Sequence, residues 1–263
     1  MEIILSIILV FTIIIVLIAW AAGRQKKHIV HQPIPGNFKN ILLKEVEFYE
    51  QLDEEKRLLF ENRVQQFLSS VKITGVNTTV EDLDRVLIAA SAIIPIFAFP
   101  NWEYINLNEV LLYPDSFDDK FQQEGAGRNT LGMVGTGAYQ NIMILSKHEL
   151  RQGFLNRTGK TNTAIHEFVH LVDKTDGDTD GIPESIMAKS YIIPWLKLAQ
   201  SNITSIKENE SDINPYGATS QTEFFAVVSE YFFERPDLLQ AKHPQLYELL
   251  VKIFRQQPPK PGN

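Results

Sequence analysis

Residues 163–173 read TAIHEFVHLVD, and the rest of the chain can be read outward from this run. His166 and His170 are four residues apart, so on a helix they stand about 40° apart on one face. Two imidazole nitrogens placed in this way can share one tetrahedral zinc ion. Glu167 falls on the flank of that stripe, where it can reach a zinc-bound water as a general base without being a ligand itself. Ile165, Phe168, Val169 and Val172 cover the rest of the cylinder and predict a helix that is apolar behind and chemical in front. The pattern would arise by chance in roughly one such sequence in a hundred, which favours metal chemistry over an idle His-Glu-His cluster.

A catalytic zinc is expected to take three protein ligands and a water. The chain has no cysteine, so a thiolate site and a disulfide framework are both excluded and the third ligand must be His, Asp or Glu. Asp176, six residues after His170, would suit a metzincin pattern, but that pattern needs a glycine where this chain has Asp173. Glu184 follows a long turn beside Pro183. Glu223, on a helix predicted over residues 221–234, is the preferred choice, because a carboxylate from a second helix packed on the first is the gluzincin arrangement. Glu230 lies two turns further along that helix, and helical geometry alone does not choose between the two. Asp173 stands one turn beyond His170 on the ligand stripe and is expected to orient a ligand or a neighbouring loop from behind, without binding metal.

Outward from the motif, the periodicity predicts two amphipathic helices over 38–72, one with Leu42, Val46 and Tyr49 on a face, the other with Leu58, Val64, Phe67 and Leu68. A strand or loop at 73–80 and an apolar helix over 82–99 follow. One or two strands are expected in 102–112, an irregular loop over 113–138 and a strand at 141–145. The motif helix spans 156–173. Pro183 suits the first turn of a helix running to about 200, followed by a polar loop over 202–220. Helices at 221–234 and 244–255 are separated by Pro236. Many helices and few strands predict an α+β class, mostly helical with a small sheet.

The 263 residues suffice for one sizeable core. The net charge of −7 gives no broad electrostatic footprint for nucleic acid. Residues 3–22 carry no charge and span about 30 Å as a helix, the thickness of a hydrocarbon core. Arg24, Lys26 and Lys27 follow immediately, which places the remainder on the cytoplasmic side. A cleaved signal peptide would need a basic leading region that this segment lacks. The expected organisation is therefore a transmembrane anchor over 1–23, a juxtamembrane linker over 24–37, a peptidase-like domain over 38–257 and a disordered tail over 258–263. The localisation expected is a single-pass membrane protein with a cytoplasmic catalytic domain.

Four other patterns carry less. Asp176, Asp178, Asp180 and Gly181 imitate the start of a calcium loop, but its twelfth position is Met187, not the bidentate glutamate required. Gly159-Lys160-Thr161 ends like a phosphate loop with one residue too many between its glycines. Gly132, Gly135 and Gly137 make no dinucleotide fingerprint and suit a flexible loop bordering a cleft. His28 and His31 lie in the basic linker with no acidic residue at hand.

Taken together, HEFVHLVD at 166–173, the Asp-Gly pairs at 176–177 and 180–181, YGATSQTEFFAVVSEYFF at 216–233, DRVLIAA at 84–90 and VLLYP at 110–114 resemble the Mlc titration factor A (MtfA) peptidase family over roughly residues 35–255. The 216–223 segment is also similar to that of the anthrax lethal factor catalytic domain. The resemblance implies a zincin-like, gluzincin-type fold, with His166, His170 and Glu223 as zinc ligands, Glu167 as base and Tyr216 pointing its hydroxyl at the developing oxyanion. The best-described members of that family are soluble, so the apolar first segment is a departure. The expected reaction is hydrolysis of peptide bonds by a zinc-activated water, with aminopeptidase action as one form of it. Expected partners are a peptide or protein substrate, the membrane and a regulator protein. Readings of another class are sequestration of a regulator on the same fold, and a zinc hydrolase acting on something other than peptides. An exposed edge strand beside the zinc helix would align an extended substrate, and residues 141–145 are the natural candidate, though they suit an interior strand equally.

Overall fold

Among the described residues the sheet has four strands in the order β1 (Lys72–Gly75), β2 (Glu109–Tyr113), β4 (Ile142–Ser146) and β3 (Gly132–Val134). The first three are parallel, and β3 runs antiparallel to β4 at the edge. This is a computed structural model, and it describes residues 34–117, 130–135 and 140–260. The transmembrane expectation at 1–23 and most of the linker lie outside the described residues. Among the described residues no helix is long and apolar enough to cross a membrane.

Successive strand residues face opposite sides of the sheet. Ile73, Val110, Leu112, Met143 and Leu145 point into the main core, while Tyr113 and Ile144 join Phe117 in a smaller cluster on the other face. The main-core side is covered by helices: α1 (Phe38–Glu45), α2 (Glu47–Glu50), α3 (Glu54–Ser70), α4 (Asp82–Ile96), α5 (Lys147–Leu155), α6 (Thr163–Asp173), α7 (Lys189–Lys207), α8 (Gln221–Glu234), α9 (Pro236–Lys242) and α10 (Pro244–Phe254). The architecture is mostly helical with a small sheet, as the sequence predicts. Helix α4 is buried nearly all round, and a reciprocal capping box between Glu81 and Asp84 starts it.

Several local expectations change. The face listing Leu58 is wrong there: Leu58 is exposed and Phe60 takes the inward position with Val64, Phe67 and Leu68. The first predicted helix is interrupted at Val46, whose extended backbone separates α1 from α2. The loop expected over 113–138 contains β3, and the strand at 141–145 is interior because β3 pairs along its outer side. Helix α5, started by Ser146 accepting from Glu149 N, is mostly polar and leaves little hydrophobic period to detect. Pro183 opens a tight turn instead of a helix, with Ile186 and Met187 drawn into the core. Helix α7 then starts at Lys189 and runs on to Lys207, through part of the expected loop. Trp195, Ala199, Ile203 and Ile206 recur at helical spacing and bury one stripe of it. At the other end, Pro258 is buried and Gln256 donates to Ile94 O, so the chain follows the body up to that point.

Candidate metal centre

Helix α6 starts where Asn162 accepts a hydrogen bond from Ile165 N, satisfying one of the open donors of the first turn. It ends in a short 3-10 turn closed by Gly177 in the left-handed region (φ 113°). Its apolar side is fully buried. Phe168 meets Phe67 edge-on and Tyr104 at a tilt, at ring separations of 5.7 and 5.2 Å, and such a side chain contributes about 1.5–3 kcal/mol on burial. That packing fixes the rotation of the helix and turns His166 and His170 toward α8.

Helix α8 begins at Ser220, whose hydroxyl accepts from Glu223 N. The run from Ser220 to Glu223 has the spacing of a capping box, yet the Glu223 carboxylate faces the imidazoles. Glu223 Oε2 lies 3.0 Å from His166 Nε2 and 3.4 Å from His170 Nε2, and the two Nε2 atoms are 3.0 Å apart. Three ligand atoms about 2.05 Å from a tetrahedral zinc ion would be about 3.3 Å from one another, so this triangle is close to the size zinc requires. Among the described residues these three form the one group of His and acidic side chains gathered closely enough to hold a metal.

The protons argue the same way. His166 Nδ1 is 2.5 Å from Glu230 Oε1, an acceptor that fixes the ring hydrogen on that side. His166 Nε2 is then a lone pair facing a second imidazole nitrogen and a carboxylate, an arrangement that calls for a cation. Without a metal, a proton fills that need. Burial opposes a charge on His166, but hydrogen bonds to Glu223 and Glu230 outweigh it and push its pKa up to about 10. Burial works against the Glu223 carboxylate too, and the two imidazoles overcome it, holding the group down to about 2.

Glu230, open as an alternative ligand in the sequence, thus sits on the far side of the His166 ring. Glu167 is 6% exposed, and burial raises its pKa while the two imidazoles pull it back. Tyr216, on a 3-10 turn over Pro215–Ala218, is 53% exposed, with its ring centroid 6.0 Å from that of His166. Burial and the charges of Glu223 and Glu167 raise its pKa, which keeps the hydroxyl protonated. Asp173 turns away from the triangle: its Oδ2 accepts from Gly181 N at 2.8 Å and so holds the following loop. Asp176 and Asp180 are spent on backbone N–H groups of that loop, so the calcium-like pattern is a loop brace. Glu184 likewise plays its part through its backbone N–H, which donates to Asp176.

Gly132, expected in a flexible loop bordering a cleft, stands instead on strand β3, and its closeness to Glu167 was not foreseen. A Cβ there would lie 2.6 Å from Glu167 Cγ and 2.8 Å from its Oε1. The edge strand therefore passes directly over the Glu167 side chain, a proximity that depends on tertiary packing and leaves no local signal.

A helix-and-sheet domain whose His-Glu-x-x-His helix is closed by a glutamate from a second helix has the design of a zinc metallo-peptidase. The chain belongs to the family described as glucose-regulated metallo-peptidase M90, which residues 20–255 match. It is 30% identical over 275 residues to an uncharacterized protein of Synechocystis sp., covering 95% of this chain and 97% of that one. It is 28% identical over 204 residues to Mlc titration factor A of Pectobacterium atrosepticum, covering 73% of this chain and 76% of the relative. A crystal structure of a candidate zinc-binding metallo-peptidase from Bacteroides caccae aligns over 79% of this chain and 81% of that one. At a TM-score of 0.36 and 13% identity it adds nothing to the assignment.

Proposed function

We propose that this protein is a zinc-dependent peptidase in which His166, His170 and Glu223 hold the metal and Glu167 is the general base. The observation that carries the reading is the triangle of two imidazole nitrogens and one carboxylate oxygen, with edges of 3.0, 3.0 and 3.4 Å. Zinc, when bound, acidifies water and polarises the scissile carbonyl. Glu167 takes the proton of the attacking water and delivers it to the leaving amine; its burial favours that exchange by raising its basicity. Tyr216 donates its hydroxyl to the oxyanion that develops in the transition state. Strand β3, at the sheet edge over Glu167, pairs with an extended substrate and sets its register.

The arrangement supports hydrolysis of peptide bonds, and the apolar segment at 3–22 supports attachment to a membrane with this domain on the cytoplasmic side. Binding of a regulator is the second reading, favoured by the relatives whose name is Mlc titration factor A.

The test is metal dependence. Hydrolysis of extended peptides by the full chain should stop when zinc is chelated and return when zinc is restored. Zinc must displace the proton that the carboxylates hold on His166. Apparent zinc affinity should therefore rise about tenfold per pH unit between about pH 6 and 9, below the pKa of about 10. In the metal-free protein the sign runs the other way. The His166 proton stabilises the fold fully below its ordinary pKa of 6.5, and that contribution is lost as pH rises through about 10. Zinc affinity independent of pH over this window would contradict the assignment.

Gly132→Ala should lower kcat at least about tenfold, because a shift of about an ångström in a reacting group is that costly. Zinc affinity should be unchanged, since the added methyl meets Glu167 and not the ligands. Wild-type turnover in this variant would show that β3 does not confine the base.

A further inference from the structure

Asn162 stands where three helices meet and is 1% exposed. Its side-chain oxygen caps α6 by accepting from Ile165 N at 3.2 Å. Its side-chain nitrogen donates to Glu234 Oε1 at 2.9 Å, and its backbone N–H donates to Glu230 Oε2 at 2.8 Å. Glu230 and Glu234 lie one turn apart on α8, so both carboxylates grip the residue from which α6 starts. The other oxygen of Glu230 holds His166 Nδ1. From α5, Gly153 closes the fourth side: a Cβ there would come within 2.9 Å of Asn162 Cγ.

Capping requires only an acceptor, which serine or aspartate supplies equally well. The side-chain amide of Asn162 accepts and donates at once from one planar group. The donor half of Asn162 therefore has a use beyond starting the helix. We infer that Asn162 is a positioning residue for the metal centre, tying α6 to Glu230 and Glu234 so that His166 Nε2 is aimed at the ion. Glu234 is the anchor of that tie. The inference rests on the zinc site proposed above.

Asn162→Ser keeps the cap but replaces the amide N–H that reaches Glu234 with a shorter hydroxyl, and Glu234→Ala removes the acceptor. In the full chain, each should weaken zinc binding about tenfold, the lower end of what outer partners of metal ligands contribute. The double variant should be no weaker than the worse single one, because both remove one contact. Glu234→Gln, which retains the acceptor, should bind like the wild type. Gly153→Ala favours its helix by propensity, yet should weaken zinc binding by crowding Asn162. Cobalt substituted for zinc should show a shifted visible spectrum in Asn162→Ser, a readout that loss of helix stability alone does not move. Wild-type zinc affinity in Asn162→Ser overturns the inference, as does a lowered melting temperature with affinity and cobalt spectrum unchanged, or additive losses in the double variant. If the wild type binds no zinc while remaining folded, the metal-site reading itself fails and this inference falls with it.

Discussion

Glu167→Gln is expected to keep its zinc and lose its chemistry. The substitution preserves the volume of a side chain that is almost wholly buried beneath β3, so neither the α6 packing nor the ligand triangle has reason to move. What disappears is the capacity to accept a proton. General-base catalysis is worth roughly 100- to 10,000-fold, or about 3–5.5 kcal/mol of barrier. Turnover should fall by at least that much while zinc stoichiometry and melting temperature stay at wild-type values. The same variant separates the two functional readings. Binding of a regulator would survive the substitution, and peptide hydrolysis would not. Unchanged hydrolysis would remove Glu167 from the role of base.

The second large effect is on the metal itself. His166→Ala and Glu223→Gln should lose zinc on dialysis, because each removes one corner of the proposed ligand triangle. Glu230→Gln should behave differently. It keeps an oxygen beside His166 Nδ1 but puts an amide NH2 where Oε2 accepts from Asn162 N, so affinity should fall roughly 10- to 100-fold with measurable zinc retained. The contrast between two glutamates on one helix is the measurement that matters. A Glu230→Gln protein empty of metal beside a loaded Glu223→Gln protein would exchange their roles.

The histidine pair was legible in the sequence because two imidazoles four apart on a helix declare a shared face without tertiary information. The partner helix was also legible in outline, through its run of aromatic and aliphatic residues. The choice between Glu223 and Glu230 was not, since each can face α6 and only the angle at which the helices meet decides it. Asn162 is among the preferred capping residues, so its place at the start of α6 accords with its chemistry, but its hold on α8 is a long-range fact. The missed helix α5 and strand β3 share a cause. One is too polar and the other too short for a hydrophobic period to emerge, and both are held by contacts with distant segments. The extended reach of α7 could have been read from Trp195, Ala199, Ile203 and Ile206, had the polar residues between them not suggested a loop.

Strand β3 is only three residues long. Residues on an edge strand turn alternate N–H and C=O groups outward, so this one can offer an incoming chain only about two backbone hydrogen bonds. Each contributes roughly 0.5–1.5 kcal/mol net. Affinity from main-chain pairing is then small, and a ligand held here must already be straightened before it arrives. Tight or sequence-selective capture needs grips elsewhere along the cleft, and without them the protein would act on loose, unstructured stretches of polypeptide in preference to folded ones.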